Sequence, residues 1–345
     1  MNRPRVCFYA PVQSPEILDR VLFYRQDLDA LRRLGYDVVV ATRWHEVRVD
    51  VDLIYVWWWT WAFVPFLVRA WRRTPIVVTG VFDYAWPEPG NDYVHRPRWQ
   101  QWLMRLGLRQ AAANIFLTQF EYRQVTEALP VTHPAIVPLA VDVETYAPSR
   151  VPREAALIAS IGWLHDENAR RKGMFVLLRA FALVHAARPD ATLVIAGAPG
   201  TATPALEALR DELGLAAAVR FAGAVSDEEK LALLQRCRVY AQPTMFEGFG
   251  LAIAEALSCG APVVTCAGGA VREVVGDAGL LVTRTPEAVA AGILAIVEDS
   301  ELAGRLTQAG RRRALERFGF ERKVTQLGDV LDRARSPVTE GAGRA

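Results

Sequence analysis

The chain contains 345 residues, of which 52% are hydrophobic, and it carries a formal net charge of +2. This length exceeds what one hydrophobic core usually supports, so we expect two domains. Acidic and basic residues are interspersed, without the basic stripe typical of nucleic-acid binders, which excludes that class. Because the histidines and cysteines show no metal-ligand spacing, we predict no metal site.

The first half alternates strand-like and helix-like segments. Short apolar runs that end at proline, glycine or polar residues predict buried strands, and longer runs with helical spacing predict helices. The strands are expected at 6–11, 37–42, 53–57, 75–80, 113–118 and 135–141. Helices are expected at 14–34, 99–110 and 121–129. A further helix is expected to follow the tryptophan cluster and to end at about Arg73. Repeated βα units indicate a parallel sheet covered on both faces.

The segment from Leu53 to Val68 is almost entirely apolar. A transmembrane helix requires about 20 apolar residues, whereas this segment is shorter and contains Pro65. A buried parallel strand that leads into a loop and a helix fits better. Core packing accounts for a pair of its tryptophans, and the rest could line a ligand cleft or touch a membrane surface. These tryptophans are Trp57, Trp58, Trp59 and Trp61.

The second half repeats the alternation without a visible sequence repeat. Strands are expected in ALIASIG, ATLVIAG, VRFAGAV, VYAQP, PVVTCAGG and GLLV. Helices are expected at 174–186, 205–214, 227–236, 250–259, 271–275, 287–297, 301–317 and about 321–335. The sequence therefore predicts two doubly wound α/β domains, with ligands bound at the carboxyl ends of their strands.

We place the domain boundary in a polar, proline-containing linker at residues 149–155. The N-terminal domain would then comprise residues 1–148, and the C-terminal domain residues 156–317. A final helix occupies 318–335, and the tail 336–345 is expected to be disordered.

The segment from Tyr240 to Val264 carries the strongest chemical signal. A strand ends at Pro243, a glycine-containing loop follows, and a helix then begins. Glycines let the backbone approach a ligand, and a helix N-terminus offers N–H groups and a positive dipole end to phosphate. Alone, Glu247 would be interpreted as a helix-start carboxylate and Glu255 as a solvated helix residue. Together in this loop, they indicate two acids that reach opposite ends of one ligand.

The run FEGFGLAIAEALSCGAPVV resembles the Glu-x7-Glu motif of retaining GT-B glycosyltransferases, family 4. The resemblance implies two Rossmann-like doubly wound domains facing each other across a cleft. It implies that Glu247 is catalytic, near the reacting carbon of the donor sugar, and that Glu255 accepts hydrogen bonds from the ribose hydroxyls. Further donor contacts are implied for Gly248, Phe249, Gly250 and Leu251.

The run SIGWLHDENARRKG is similar to the strand–loop–Lys-Gly–helix element of the same family. By this resemblance Lys172 binds the diphosphate as a catalytic cation; without the motif it would be interpreted as a solvated lysine. The family usually has an arginine after the strand glycine, Gly162, but this chain has Trp163 there. Arg170 or Arg171 could replace the missing cation, and Arg171 is assigned to the donor site together with Gly162 and Trp163.

Three further positions are assigned through weaker similarity. Ala198 and the backbone near Val225 would flank the nucleobase, although both also fit ordinary strand-end turns. The histidine that the family often has after the fourth strand is absent, and Asp83 is the nearest polar group. Asp83 could orient the acceptor or donor sugar as a third catalytic residue, or it could cap a turn.

The resemblance implies a retaining, metal-independent hexosyltransferase that needs no cofactor. The donor would be a UDP- or GDP-sugar, and the acceptor a hydroxyl of a glycan, a glycolipid or a small molecule. The final helix 318–335 would pack back on the N-terminal domain. Two alternatives stay open, namely a catalytically silent nucleotide-sugar-binding protein and a nucleotide-sugar epimerase. We expect a bacterial, cytoplasmic protein, with peripheral contact at the inner membrane face as a further alternative.

Overall fold

The computed structural model describes residues 3–68, 74–86 and 92–336. Its contacts divide the chain into two compact units. The first unit comprises the described parts of 1–140 and 320–345, and the second comprises 141–319. Within the described residues, each unit contains one six-stranded parallel sheet with flanking helices.

The sheet of the first unit has the order β2-β1-β3-β4-β5-β6, so the strand order reverses between β1 and β3. Its strands are β1 (Arg5–Tyr9), β2 (Asp37–Ala41), β3 (Leu53–Trp57), β4 (Ile76–Thr79), β5 (Ala113–Phe116) and β6 (Pro134–Ile136). The predicted strand 135–141 is cut short, because Pro138 follows and has no N–H for the ladder.

The helices of the first unit are α1 (Glu16–Arg20), α2 (Leu22–Arg33), α3 (Phe63–Val68), α4 (Arg98–Gln110) and α5 (Gln119–Ala128). Short 3-10 turns lie at Trp44–Glu46, Trp59–Trp61 and Tyr93–His95. The prediction of one helix over 14–34 is wrong. Val21 adopts an extended backbone (φ −89°, ψ 111°) that ends α1 and begins α2, and a β-branched side chain tolerates this conformation well.

The apolar segment forms a strand, a short turn and a helix. All of β3 is buried, and the core absorbs Trp57 and Trp59, as expected for a pair of the tryptophans. Trp58 is half-buried, and Trp61 is 43% exposed. No helix in the described part of the chain has both the length and the apolar character needed to cross a membrane. The predicted end of the third helix, near Arg73, lies outside the described residues.

The sheet of the second unit has the order β12-β11-β10-β7-β8-β9. Its strands are β7 (Leu157–Ile161), β8 (Thr192–Ala196), β9 (Val219–Gly223), β10 (Val239–Gln242), β11 (Val263–Thr265) and β12 (Leu280–Leu281). The strands β7, β8 and β9 lie in sequence on one side of the sheet. The chain then crosses over, so that β10 pairs with the other edge of β7 and is followed by β11 and β12. This is the order of a Rossmann dinucleotide-binding domain.

The helices that cover this sheet agree with the predicted segments, with one addition. They are α6 (Asp166–Arg171), α7 (Met174–Ala187), α8 (Thr203–Glu212), α9 (Asp227–Arg236), α10 (Leu251–Ser258), α11 (Val271–Val275), α12 (Pro286–Glu298) and α13 (Ser300–Phe318). The sequence predicted a loop where α6 lies. Acids in the first turn of α6 and arginines in its last turn complement the helix dipole.

The last described helix, α14 (Phe320–Arg335), belongs to the first unit, where it packs against α2. Lys323 of α14 forms a buried ion pair with Asp27 of α2, at 2.7 Å. Asp27 also accepts hydrogen bonds from the Tyr55 hydroxyl and the Trp57 indole N–H. A buried charge network therefore ties this helix to α2 and β3. Of the predicted tail 336–345, residues 337–345 lie outside the described residues.

The predicted linker at 149–155 lies later than the division between the units, which falls after Ala140. The intervening residues 141–148 make their contacts within the second unit. The N–H of Val141 donates to the Phe318 carbonyl, and the Tyr146 carbonyl accepts from the hydroxyl of Ser258 and from Arg311. Polar, proline-containing composition alone did not reveal these contacts.

Candidate functional site

The strand order of the second unit identifies where a ligand should bind. In doubly wound sheets, ligands bind outside the carboxyl ends of the strands at the point where the order reverses. Here that point lies between the neighbouring strands β7 and β10. Gly162 follows β7 directly, and the loop after β10 carries Glu247. The sequence-predicted residues of both motifs therefore meet at this edge.

The carboxylate of Glu247 is the centre of a buried charge cluster. Its Oε1 accepts a hydrogen bond from Lys172 Nζ at 2.9 Å, and its Oε2 lies 3.0 Å from an Arg171 guanidinium nitrogen. All three side chains are largely shielded from solvent. The structure thus brings together a predicted catalytic acid and two predicted phosphate-binding cations.

The two cations keep Glu247 ionised. Burial by itself would raise the pKa of Glu247, but the charges of Lys172 and Arg171 outweigh it and hold the pKa below its ordinary value. A carboxyl group with a lowered pKa stabilises the folded state above its unfolded-state pKa, and this stabilisation is lost as the pH falls through the folded-state value. Near neutral pH the cluster therefore carries one negative and two positive charges.

Gln242 was not predicted as a site residue, yet it completes the cluster. Its side-chain N–H donates to Glu247 Oε1 at 2.8 Å, and its amide oxygen accepts from the Tyr240 hydroxyl at 2.7 Å. The amide is fully buried at the end of β10. A glutamine at the end of the otherwise apolar run VYAQ was the available signal, because a buried amide must find partners.

Gly173 allows the loop after Lys172 to pack against the end of β10. It has a left-handed φ of +76°, and a Cβ there would lie 2.1 Å from the Pro243 carbonyl oxygen. We expect Gly173→Ala to reduce the free energy of unfolding by several kcal/mol, because both the backbone conformation and the contact oppose the new methyl group.

The control for this prediction is Gly214→Ala. Gly214 has a similar φ of +70° but open space around the position of a Cβ. Gly214→Ala should reduce the free energy of unfolding only by the cost of placing alanine in the left-handed conformation, about 1 kcal/mol. Urea unfolding compares the two variants, and equal losses would contradict the close approach at Gly173.

The helix α10 begins directly after the Glu247 loop. Its N-cap, Gly250, has a left-handed φ of +91°, so the chain turns sharply into the helix at Leu251. Gly248 precedes the turn, and Phe249 is buried with its ring against Phe318. The first N–H groups of a helix and the positive end of its dipole attract an anion. The predicted donor-binding backbone therefore lies beside the Glu247 cluster.

Glu255 lies within α10 and is buried, which excludes a solvated surface role. Its Oε1 accepts a hydrogen bond from Lys230 Nζ of α9 at 3.0 Å, and the same ammonium group lies over the ring of Tyr146. Burial raises the pKa of Glu255, although the charge of Lys230 opposes this shift. Lys230 was not predicted, because a lysine in the run DEEK is typical of a solvated helix face.

The remaining predicted residues of the second unit follow other strands at the same edge. Trp163 is 63% exposed after β7. Ala198 follows β8, and its carbonyl accepts from the Leu164 N–H at 3.0 Å. Val225 follows β9, at the outer strand of this half of the sheet, and is half-buried. These positions form a row along the edge.

The structure distinguishes the two arginines that could replace the missing cation at Trp163. Arg171 reaches Glu247, whereas the Arg170 guanidinium lies over the Phe175 ring. Asp83 lies in the first unit, where it is half-buried and its backbone carbonyl accepts from the Tyr93 N–H. Among the residues that the structure describes, no group of three or more His, Cys, Asp or Glu side chains could hold a metal ion.

Comparison with known sequences agrees with the position of the site. Residues 153–313 match the family described as glycosyl transferases group 1. The Glu247 cluster, α10 and Glu255 all lie within the matched residues. These residues are therefore similar to group 1 glycosyl transferases. The matched range lies within the second unit, which comprises 141–319.

This chain also has relatives among curated proteins. One is the "MMP alpha-(1->4)-mannosyltransferase" of Mycolicibacterium hassiacum, which is 31% identical over 234 residues, 66% of this chain and 54% of the relative. The chain spans about half the length of the first curated relatives that it matches.

Solved structures show the fold of the whole chain. Sucrose-phosphate synthase from Thermosynechococcus elongatus superposes with a TM-score of 0.77 at 18% identity, and the match covers 96% of this chain and 99% of that one. Anabaena HepE in complex with UDP and glucose gives a TM-score of 0.74 at 19% identity, covering 95% and 99%. The predicted two-domain, Rossmann-like GT-B fold is confirmed.

Proposed function

We propose that this protein is a retaining, metal-independent glycosyltransferase that moves a hexose from a UDP- or GDP-sugar to a hydroxyl group. The observation that carries the proposal is the buried Glu247–Lys172–Arg171 cluster beside the N-terminus of α10. The family match supports the reaction class. The acceptor would be a glycan, a glycolipid or a small molecule.

The cluster suits the charge changes of glycosyl transfer. As the bond between the anomeric carbon and the phosphate oxygen breaks, negative charge grows on the departing diphosphate. Lys172, Arg171 and the N–H groups at the start of α10 would stabilise that charge in a site shielded from water. The carboxylate of Glu247 would stabilise the positive charge that develops on the sugar ring. The departing phosphate would accept the proton of the acceptor hydroxyl.

Relatives and structural neighbours support the choice of donor. One relative is named a mannosyltransferase, and a structural neighbour was solved with UDP and glucose. Both names fit a hexose carried on a nucleoside diphosphate. In this proposal Glu255, fixed by Lys230, binds the ribose hydroxyls, and the turns at Ala198 and Val225 flank the base.

Nucleotide binding tests the proposed donor site. We expect UDP or GDP, without metal, to raise the melting temperature of the protein, because a ligand at about 100 times its Kd stabilises the folded state by about 2.7 kcal/mol. Glu255→Gln should weaken the Kd for that nucleotide by about tenfold through loss of a charged hydrogen bond. Calorimetric titration measures this change.

The matched control is Glu154→Gln, which removes an exposed ion pair with Arg236 in the same unit. It should leave the Kd unchanged. An unchanged Kd for Glu255→Gln would contradict its assignment to the ribose. A melting temperature that neither UDP nor GDP raises would contradict the assignment of the whole donor site.

A product assay separates transfer from the alternative functions. Radiolabelled UDP- or GDP-hexose is incubated with EDTA, with and without a panel of glycan and glycolipid acceptors. Label transferred to an acceptor with retained anomeric configuration supports the proposal. Conversion of the donor without an acceptor would indicate an epimerase, and nucleotide binding without any product would indicate a silent binding protein.

A further inference from the structure

The helix α4 of the first unit exposes an unusual face. Its buried side is formed by Met104, Gly107 and Leu108. Its solvent side carries two large aromatic residues, Trp99 at 62% and Trp102 at 63% exposure. Residues three positions apart in a helix lie on the same side, so the two indole rings share one exposed surface.

The same exposed surface is strongly basic. Arg98, Arg105 and Arg109 are exposed on α4, and with Trp102 they follow a spacing of three or four residues along one stripe. The sequence from Tyr93 to Gln110 contains no aspartate or glutamate. We call the surface formed by Arg98, Trp99, Trp102, Arg105 and Arg109 the α4 face.

Elements that pack against α4 also expose apolar side chains. The helix α3 and the turn Trp59–Trp61 both pack against α4. Leu67 of α3 is 71% exposed, and Trp61 is 43% exposed. Exposed apolar groups that lie together, as Trp99 and Trp102 do on α4, mark interaction surfaces, whereas single exposed apolar residues are ordinary.

We propose that the α4 face docks on an anionic lipid bilayer. Tryptophan is enriched where a protein meets the boundary between lipid headgroups and acyl chains, because its ring is apolar and its N–H is polar. Arginine side chains can lie along the apolar layer and extend their charges to the phosphates. The excess of positive charge on the face complements an anionic leaflet, so α4 would lie in the plane of the membrane surface.

This inference differs from the expectation drawn from the tryptophan cluster in the sequence. That expectation offered membrane contact, as one alternative, for the tryptophans of the segment 53–68 that the core does not absorb. The present proposal places the contact on α4, where Trp99 and Trp102 are exposed and interleaved with arginines. The proposal concerns only the first unit and is independent of glycosyl transfer.

Vesicle sedimentation tests the proposal without any nucleotide or acceptor. The 345-residue chain should bind vesicles that mix phosphatidylcholine with anionic phosphatidylglycerol, and it should bind vesicles of pure phosphatidylcholine far less. Binding should weaken with added salt, because salt screens the arginine–phosphate attraction.

Two double variants separate the apolar and the charged contributions. Trp99→Ser with Trp102→Ser should reduce the partition coefficient on anionic vesicles by at least about tenfold. Arg98→Gln with Arg109→Gln should reduce it by about 25-fold, since each basic residue near an anionic surface contributes about fivefold.

Matched controls lie elsewhere on the first unit. Trp44 is 66% exposed, and Arg123 is exposed on α5; Trp44→Ser and Arg123→Gln should bind vesicles like the wild type. Circular dichroism melting checks that every variant folds. Failure of the wild type to bind anionic vesicles would overturn the proposal, as would equal binding by a folded Trp99/Trp102 variant. Self-association through this face in place of vesicle binding would overturn it as well.

Discussion

Lys172→Ala is expected to lower the turnover number for glycosyl transfer by about 10²–10³-fold, the usual cost of removing one charge-stabilising group from a transition state. Lys172 Nζ lies 2.9 Å from Glu247 in a site with little solvent. In the proposed reaction, its buried ammonium group would stabilise the negative charge that grows on the departing diphosphate. Steady-state kinetics with saturating donor measure the effect, which should appear mainly in kcat.

Glu247→Gln should lower the turnover number by a comparable factor, because the amide keeps the shape of the side chain but removes the negative charge. Glutamine is preferable to alanine here, because it fills the same space and keeps an oxygen that can accept a hydrogen bond from one of the two cations, whereas alanine removes the charge, the acceptor and the volume together. The two residues interact directly, so the losses in the double variant should be less than additive.

The exposed ion pair of Glu154 and Arg236 again provides the control, and Glu154→Gln should retain wild-type turnover. Melting curves of each variant show whether a lost activity reflects a lost fold. Wild-type rates for both Lys172→Ala and Glu247→Gln would refute the assignment of the catalytic site.

Lys323→Met is expected to reduce the free energy of unfolding of the first unit by about 3–5 kcal/mol. The side chains of Lys323 and Asp27 are 4% and 1% exposed, and their charged groups lie 2.7 Å apart. Loss of the lysine leaves a buried carboxylate without its counter-charge. The hydrogen bonds from Tyr55 and Trp57 remain, but they do not neutralise that charge.

Tryptophan fluorescence during urea unfolding measures this loss selectively. Nine of the ten tryptophans precede residue 141 and therefore belong to the first unit. The adjacent Arg322 is exposed on the same helix, so Arg322→Met should change the free energy of unfolding by no more than about 0.5 kcal/mol. If Lys323→Met were no more destabilising than Arg322→Met, the ion pair would not stabilise the helix.

The three lysines of the sequence share one structural property. Lys172, Lys230 and Lys323 are the only lysines in the chain, and each pairs with a buried carboxylate, of Glu247, Glu255 and Asp27 respectively. In a chain whose other basic side chains are arginines, the scarcity of lysine was a signal that sequence reasoning could have used. Only the Lys-Gly motif around Lys172 was recognised.

The family resemblance of the sequence implied the GT-B fold. The residue pattern by itself determined the alternation of strands and helices and the segment that begins α10. These features depend on local patterns: apolar runs of strand length, helical spacing, and glycines beside a helix start. Such patterns are readable because backbone conformation and burial are set largely by neighbouring residues. The roles of Glu247 and Glu255 were implied by the resemblance of this segment to a family motif.

Only the tertiary structure decided which side chains meet. Glu247 is 75 residues from Lys172, and Lys323 is far from Asp27 along the chain, so no local pattern could pair them. The choice of Arg171 over Arg170, the partner of Glu255 and the exposed side of α4 were likewise undecided by the sequence. Contacts between distant residues depend on how whole elements pack, and a buried charge reveals its partner only when that packing is known.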